Sequence, residues 1–490
     1  LIVVSEVSVY WNAAYMSTLI CLRKSVASCF NGVEIVNYSC RREYMTLFSV
    51  SVAGVYICVC RHGRAGQAGV YVCVVYICVY VCVGTGEQGK PAHLAESESE
   101  LEQALYAVNG FNGALSDRIA LNRSLPDIRH AGCRARRHLA ALPTVSVVVP
   151  FHNEHWSTLL RTAVSVLNRS PPELIKEVFL VDDASTKEFL KRQLDEYVSA
   201  HLPKVSVVRL ARRSGLIAAR LAGARRATAD VLVFLDSHTE ANVNWLPPLL
   251  EPIALEHRTV VCPLIDVVAY DTFEYRAQDE GARGAFDWEL YYKRLPLLPR
   301  DERNMPESPV MAGGLFAISR SFFWQLGGYD AGLDIWGGEQ YELSFKVWQC
   351  GGRMLDAPCS RVGHIYRKFA PFPNPGHGDF VGRNYRRVAE VWMDEFAEHV
   401  YARRPHYRDL DPGDLTEQRA LRRRLRCKPF RWFITQVAFD LVHKYPPVEP
   451  SPFAEGKVSN CCFTYYMYMY CLSLTLAAPS LTAPPHYRFL

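Results

Sequence analysis

The stretch Val145-Ser-Val-Val-Val-Pro-Phe-His-Asn-Glu-His-Trp-Ser-Thr-Leu-Leu-Arg-Thr-Ala-Val-Ser-Val-Leu167 changes its hydrophobic period within a few residues. Val145 to Val149 is a short apolar run rich in β-branched residues, the pattern of a buried strand. Beyond it, Leu159, Leu160, Ala163, Val164 and Leu167 recur at helical spacing, and Asn153 and Ser157 offer N-caps. The same alternation returns downstream. Val178 to Val181 stops at Asp182-Asp183, Val205 to Leu210 leads through Arg212-Arg213-Ser214-Gly215 into an Ala-rich helix near Leu216 to Ala227, and Val231 to Leu235 stops at Asp236. Strands alternating with helices predict an α/β fold with a mainly parallel central sheet flanked by helices.

Outward from this region the composition shifts. Residues 1–90 centre on Val70 to Val83, a repeat of Val, Tyr and Cys that is shorter than the ~20 residues of a spanning helix. They read as a low-complexity or non-native segment, with a degraded membrane anchor as the competing reading. Residues 91–125 read as a polar stem or linker, residues 126–450 as the folded domain, and residues 451–490, with the cluster Tyr465 to Tyr470, as a disordered or non-native tail.

The chain has 490 residues, 55 Lys and Arg against 50 Asp and Glu, so the net field is too weak to imply nucleic acid as a partner. One basic stretch runs from Arg403 to Arg431. It lacks interleaved aromatic stacking residues and reads as solvated helix faces. Of 16 cysteines, only Cys133, Cys262, Cys350, Cys359 and Cys427 fall in the folded region, none in a Cys-x-x-Cys pair. That argues against a zinc ribbon and for a few disulfides in an oxidising compartment.

In an open parallel sheet, ligands gather beyond the carboxyl ends of the strands. Asp182-Asp183 and Asp236-Ser237-His238 both stand at such ends. In extended backbone, residues i and i+2 face the same way, so Asp236 and His238 face one cation together and leave positions open for diphosphate oxygens. His364 is the candidate third ligand, with Arg367 and Lys368 beside it to balance charge on a leaving diphosphate. Gly313-Gly314 and Trp336-Gly337-Gly338-Glu339 form a second constellation, in which glycines let the backbone approach a sugar, Trp336 offers a flat face and Glu339 accepts from sugar hydroxyls.

Taken in order, Val149-Pro-Phe-His-Asn-Glu154, Leu180-Val-Asp-Asp183, Arg213-Ser-Gly-Leu216, Leu235-Asp-Ser-His238, Met311-Ala-Gly-Gly-Leu-Phe316, Asp334-Ile-Trp-Gly-Gly-Glu-Gln340 and Cys359-Ser-Arg-Val-Gly-His364 resemble the polypeptide N-acetylgalactosaminyltransferases. The resemblance runs from about Leu125 to Pro450. It implies a GT-A nucleotide-sugar-binding fold and retaining transfer of GalNAc from UDP-GalNAc to Ser or Thr hydroxyls of polypeptides or glycopeptides. It also implies Mn²⁺ held by Asp236, His238 and His364. Residue by residue, it implies donor contacts from Asp183, Arg213, Ser237, Gly313, Gly314, Trp336, Glu339 and Arg367, and catalytic roles for Asp236, Glu339 and Arg367. Glu154 matches another acidic position of the family motif. Disulfides Cys133–Cys359 and Cys350–Cys427 follow from the same resemblance, as do a Golgi location and a single-pass, type II membrane anchor with a lumenal catalytic domain. Asn122-Arg123-Ser124 is a glycosylation acceptor in pattern.

Three departures stand out. Phe372 occupies a place where many members carry Tyr, Gln340 replaces the commoner Asn, and no Gln-x-Trp repeats of a ricin-type lectin domain follow Pro450. Gln340 matches a subgroup associated with acceptors that already carry GalNAc. The competing reading is a catalytically silent glycopeptide-binding protein, which a broken metal site would mark.

Overall fold

Apolar runs bounded by polar turns build a nine-stranded mixed sheet in the computed structural model, which describes residues 84–278, 281–299, 305–372, 374 and 376–448 together with the backbone of four strands between residues 35 and 81. The strands that position the site are β1 (Val145–Phe151), β2 (Ile175–Asp182), β3 (Val205–Arg209), β4 (Val231–Phe234), β5 (Thr239–Ala241), β6 (Thr259–Val268), β7 (Phe316–Ser319) and β8 (Arg353–Ile365). Their spatial order is β3-β2-β1-β4-β7-β6-β8-β5, with Tyr275–Arg276 paired antiparallel to β6. β1, β2, β3, β4, β6 and β8 point one way, while β7 and β5 run against their neighbours. The predicted mainly parallel sheet is present. Its antiparallel members had no signal of their own, because a four-residue strand buried on both sides has the same composition in either direction.

The helices packed on the sheet and around the site include α1 (Ser99–Asn109), α2 (Trp156–Asn168), α3 (Leu216–Arg226), α4 (Pro247–Leu255), α5 (Glu339–Gln349) and α6 (Phe380–Trp392). Alternate residues of β1 face opposite cores. Val147 and Val149 join Leu159, Leu160 and Ala163 of α2 and Leu249 and Leu250 of α4. Val148 joins Ile217 and Ala224 of α3, Tyr341 and Phe345 of α5, and Val388 and Trp392 of α6. Covering both faces requires a continuous apolar strand, and β1 is buried at every residue.

Several local expectations are corrected. Neither Asn153 nor Ser157 caps α2, which begins at Trp156 without a side-chain cap. Asn153 has φ +48°, and its Oδ1 accepts from the Thr186 and Lys187 amides, while the Ser157 hydroxyl donates to Asp117. α5 starts at Glu339, where Gly338 at φ +87° lets the chain turn into the helix. The segment read as a stem is folded onto the sheet. After α1, Phe111, Leu115 and Ile119 are buried with Val268, Phe273, Tyr275 and Ile365 in a third core cluster. A few apolar residues among many polar ones conceal this amphipathic segment in composition alone.

Cys133 pairs with Cys359 of β8, Cys350 pairs with Cys427, and Cys262 is a buried free thiol. Much of the basic stretch is neutralised locally, with Arg404, Arg408, Arg419, Arg422 and Arg431 paired to Glu289, Glu398, Glu390, Asp394 and Glu395. Between residues 35 and 81, the strands Ile35–Cys40, Glu43–Val52, Val55–Arg61 and Tyr80–Val81 pair antiparallel in succession. Most of Val70 to Val83 and all of residues 451–490 lie outside the described residues. No helix among the described residues is long and apolar enough to cross a membrane.

Candidate active site

Above the carboxyl ends of β1, β2, β4 and β8 lies a cleft of about 880 Å³. It is lined by all the metal and donor candidates of the sequence: Asp183, Arg213, Asp236, Ser237, His238, Gly313, Gly314, Trp336, Glu339, His364 and Arg367. Two strand ends and one antiparallel register assemble the metal candidates. Asp236 follows β4, and β5 pairs with β8 so that Thr239 lies opposite His364, which brings the preceding His238 alongside. The Ile365 amide donates to the His238 carbonyl at 3.1 Å and locks that register.

One ligand atom from each of Asp236, His238 and His364 lies within 4.8 Å of the other two. His364 Nε2 is 3.2 Å from Asp236 Oδ2, and the two imidazole centroids are 4.7 Å apart. This set fits a divalent cation. Burial alone would raise the Asp236 carboxyl, but the His364 hydrogen bond and the Arg220 guanidinium hold it far below the usual carboxylate range, so it is ionised. Burial and the nearby Arg367 charge lower the His238 pKa against the pull of Glu154, leaving a neutral imidazole. His238 Nδ1 faces Glu154 Oε2 at 2.9 Å, which frees Nε2 for a metal. His364 Nδ1 is buried without a hydrogen-bond partner.

Glu154 is a hub whose role the motif alone did not reveal. Its buried carboxylate also accepts from the Ser237 hydroxyl at 2.7 Å and the His155 amide at 2.9 Å, and pairs with Arg367 at 2.6 Å. Burial would raise its pKa, yet Arg367 and His238 hold it well below the ordinary value. Arg367, expected on the diphosphate side, is therefore already committed to Glu154, with its guanidinium 4.9 Å from the Phe111 ring centroid and 5.6 Å from that of Phe372. The Ser237 hydroxyl likewise points to Glu154.

Arg220 escaped the sequence reading altogether. Its side chain is 1 % exposed, donates to Asp236 Oδ1 at 3.0 Å and to the Gly314 carbonyl at 3.2 Å, and lies 3.6 Å from Glu339 Oε1. An arginine among the small and apolar residues of α3 was the available signal, since a buried guanidinium implies acidic partners. Glu339, first residue of α5, keeps Oε2 without a hydrogen-bond partner, and burial raises its carboxyl above the ordinary value with Arg220 opposing.

The remaining candidates form the walls. Asp183 is buried and accepts from the Ser214 amide at 2.6 Å, the Gly215 amide at 2.8 Å and Arg213. Gly314 is required sterically, because a Cβ there would sit 2.6 Å from Asp236 Oδ2. Trp336 is 52 % exposed, and the loop that carries it is held by the buried Asn384, whose Nδ2 donates to the carbonyls of Asp334 at 2.7 Å and Gly337 at 2.8 Å. Phe372 meets His152 edge-on at 5.6 Å.

Residues 146–327 match the model of glycosyl transferase family 2, and residues 303–369 match that of the N-terminal domain of galactosyltransferase. N-acetylgalactosaminyltransferase 6 of Drosophila melanogaster is 61% identical over 384 residues, which cover 77% of this chain and 58% of that protein. Polypeptide N-acetylgalactosaminyltransferase 10 of Homo sapiens is 58% identical over 383 residues, 77% of this chain and 63% of its own. The chain thus spans 58% and 63% of the lengths of these two curated relatives. A crystal structure of GalNAc-T7 with UDP, GalNAc and Mn²⁺ is similar at a TM-score of 0.71 and 45% identity, covering 74% of this chain and 69% of that one. The fold is accordingly of GT-A type. From the ordered motifs, the cleft they line and these similarities, the chain belongs to the polypeptide N-acetylgalactosaminyltransferase family.

Proposed function

We propose that this chain transfers GalNAc, with retention, from UDP-GalNAc to Ser or Thr hydroxyls of polypeptides or glycopeptides in the Golgi lumen. The carrying observation is the convergence of Asp236, His238 and His364 in a cleft that also holds every expected donor residue. The names of the relatives support the reaction, and the GalNAc-T7 structure with UDP, GalNAc and Mn²⁺ supports the donor and cation. When bound by the three ligands, Mn²⁺ would supply Lewis acidity toward the leaving diphosphate.

The protein's own groups do the positioning. Glu154 orients His238 and Arg367, and so keeps a positive charge beside the cleft where the diphosphate would sit. The unpartnered Glu339 Oε2 would accept from a sugar hydroxyl, and Trp336 and Arg213 would border the sugar–diphosphate and the nucleotide. In the transfer, the bond from the sugar C1 to the diphosphate oxygen breaks and a bond from C1 to the acceptor hydroxyl forms on the same face. The hydroxyl proton passes to the departing diphosphate, so no carboxylate nucleophile is required.

Two disulfides suit an oxidising lumen. A type II, single-span membrane anchor is part of the same proposal.

The test is transfer from UDP-GalNAc to naked and GalNAc-bearing Thr-rich peptides by the purified protein. Transfer should require Mn²⁺, stop on chelation and fall by about 100-fold or more in Asp236→Ala and His238→Ala. Binding of UDP by calorimetry with no transfer to any peptide would leave the silent binding protein as the answer.

A further inference from the structure

The turn that ends α1 meets the cleft wall at the loop Tyr366–Phe372. Gly110 caps the helix at φ +71°, its amide donating to the Tyr106 carbonyl at 2.8 Å. Its carbonyl accepts from the Lys368 amide at 2.9 Å, and the neighbouring Asn109 carbonyl accepts from Arg367. On either side, Phe111 lies beneath the Arg367 guanidinium, and Tyr106 meets Phe369 edge-on at 5.9 Å. The approach is close enough to exclude a side chain. A Cβ on Gly110 would lie 2.6 Å from the Phe369 carbonyl oxygen and 3.3 Å from Arg367 Cβ. The loop contributes Tyr366, Arg367, Phe369 and Phe372 to the cleft wall, and Arg367 in turn holds Glu154, the partner of His238.

We propose that the end of α1, with Gly110 as its positioning residue, is the fixed wall that sets the place of Arg367 and the Tyr366–Phe372 loop, so that a segment outside the sheet determines how tightly the UDP-sugar is held. The Gly110 carbonyl holds the Lys368 amide and the Asn109 carbonyl holds Arg367, so Gly110, which does not line the cleft, acts through the loop that carries Arg367. That the ligand is a UDP-sugar rests on the function proposed above; the placement of the loop by the end of α1 does not.

The experiment compares the full chain with Gly110→Ala and Tyr106→Ala, and takes Val108→Ala, on the exposed side of the same turn, as the control. Hydrogen exchange of the Tyr366–Phe372 amides is read without donor, and KM and kcat for UDP-GalNAc are read with Mn²⁺. Gly110→Ala should speed exchange in that loop and raise the donor KM on the order of tenfold with a smaller change in kcat, while Val108→Ala matches the parent. Tyr106→Ala, which removes the ring that packs against Phe369 and Tyr270 and leaves the backbone contacts of Gly110 in place, should move both readouts in the same direction by less. It carries the test by itself if Gly110→Ala does not fold. Loop exchange and KM unchanged in a folded Gly110→Ala, or in Tyr106→Ala when that variant stands alone, would overturn the proposal. A parent protein that does not turn over UDP-GalNAc, with faster loop exchange in the variants, would sink the functional reading and leave the positional one standing.

Discussion

Glu154 and Arg367 are 213 residues apart in the chain and 2.6 Å apart in the fold, one carboxylate oxygen of the pair also reaching His238 Nδ1. A single buried carboxylate thus sets the tautomer of the imidazole proposed as a metal ligand and anchors the guanidinium proposed to lie near the diphosphate. On the proposed function, metal binding and donor binding would share one support.

Glu154→Gln keeps the shape and removes the charge. It should weaken Mn²⁺ binding about 10- to 100-fold, as loss of the group that orients a ligating histidine generally does. Calorimetric titration of the folded variant with Mn²⁺ reads this directly, and an affinity equal to the parent's would show that His238 is oriented by something else.

Gly314→Ala puts a methyl carbon 2.6 Å from Asp236 Oδ2, closer than van der Waals contact allows. The carboxylate must turn away. Expected is a fall in kcat/KM on the order of 100-fold with the fold intact by circular dichroism. Full activity would mean that Asp236 ligates from another position.

Asn384→Ala leaves the Asp334 and Gly337 carbonyls and the Asp334 amide without their buried partner. The variant should lose about 1–3 kcal/mol of stability, from the cost of unsatisfied buried groups. Because these bonds hold the Trp336 loop, the donor KM should rise as well. Thermal melting and donor kinetics together check it, and a stability loss with KM unchanged would separate the fold from the loop.

His152 carries a pH signature. Burial, then the Arg213 charge, lowers its pKa from 6.5 to about 4. Between these values the unfolded chain binds a proton that the folded chain refuses, so stability falls as pH drops from 6.5 toward 4 and rises again on the way back. His238, shifted in the same direction, adds to the slope. Melting temperatures at pH 7 and pH 5 should therefore differ less in His152→Gln than in the parent; equal differences would exclude the assignment.

Much of the site was legible in the linear order. Asp182-Asp183 and Asp236 could be placed at strand ends because each follows an uninterrupted apolar run, and strand ends of a parallel sheet are where free backbone and ligands meet. Glu154 and Arg220 were not legible in their roles. A carboxylate or guanidinium has no meaning in such a fold until its partner is known, and Arg220 finds Asp236 only because the fold packs α3 against β1 and β2, beside the strand that Asp236 follows. Asn109 to Phe111 were hidden for the same reason, 258 residues separating Asn109 from Arg367.

What the sequence determined by itself is the alternation of continuous apolar runs with segments of period 3.6, hence the class of fold, the strand ends and the residue types available there, all of which depend on neighbours within a turn or two. What only the tertiary structure decided is which of those ends are adjacent. His364 meets Asp236 across 128 residues because β7, β6 and β8 extend the sheet beyond β4 and β5 folds back on β8. That order is selected by burying both sheet faces at once, a condition on the whole chain that no local pattern carries.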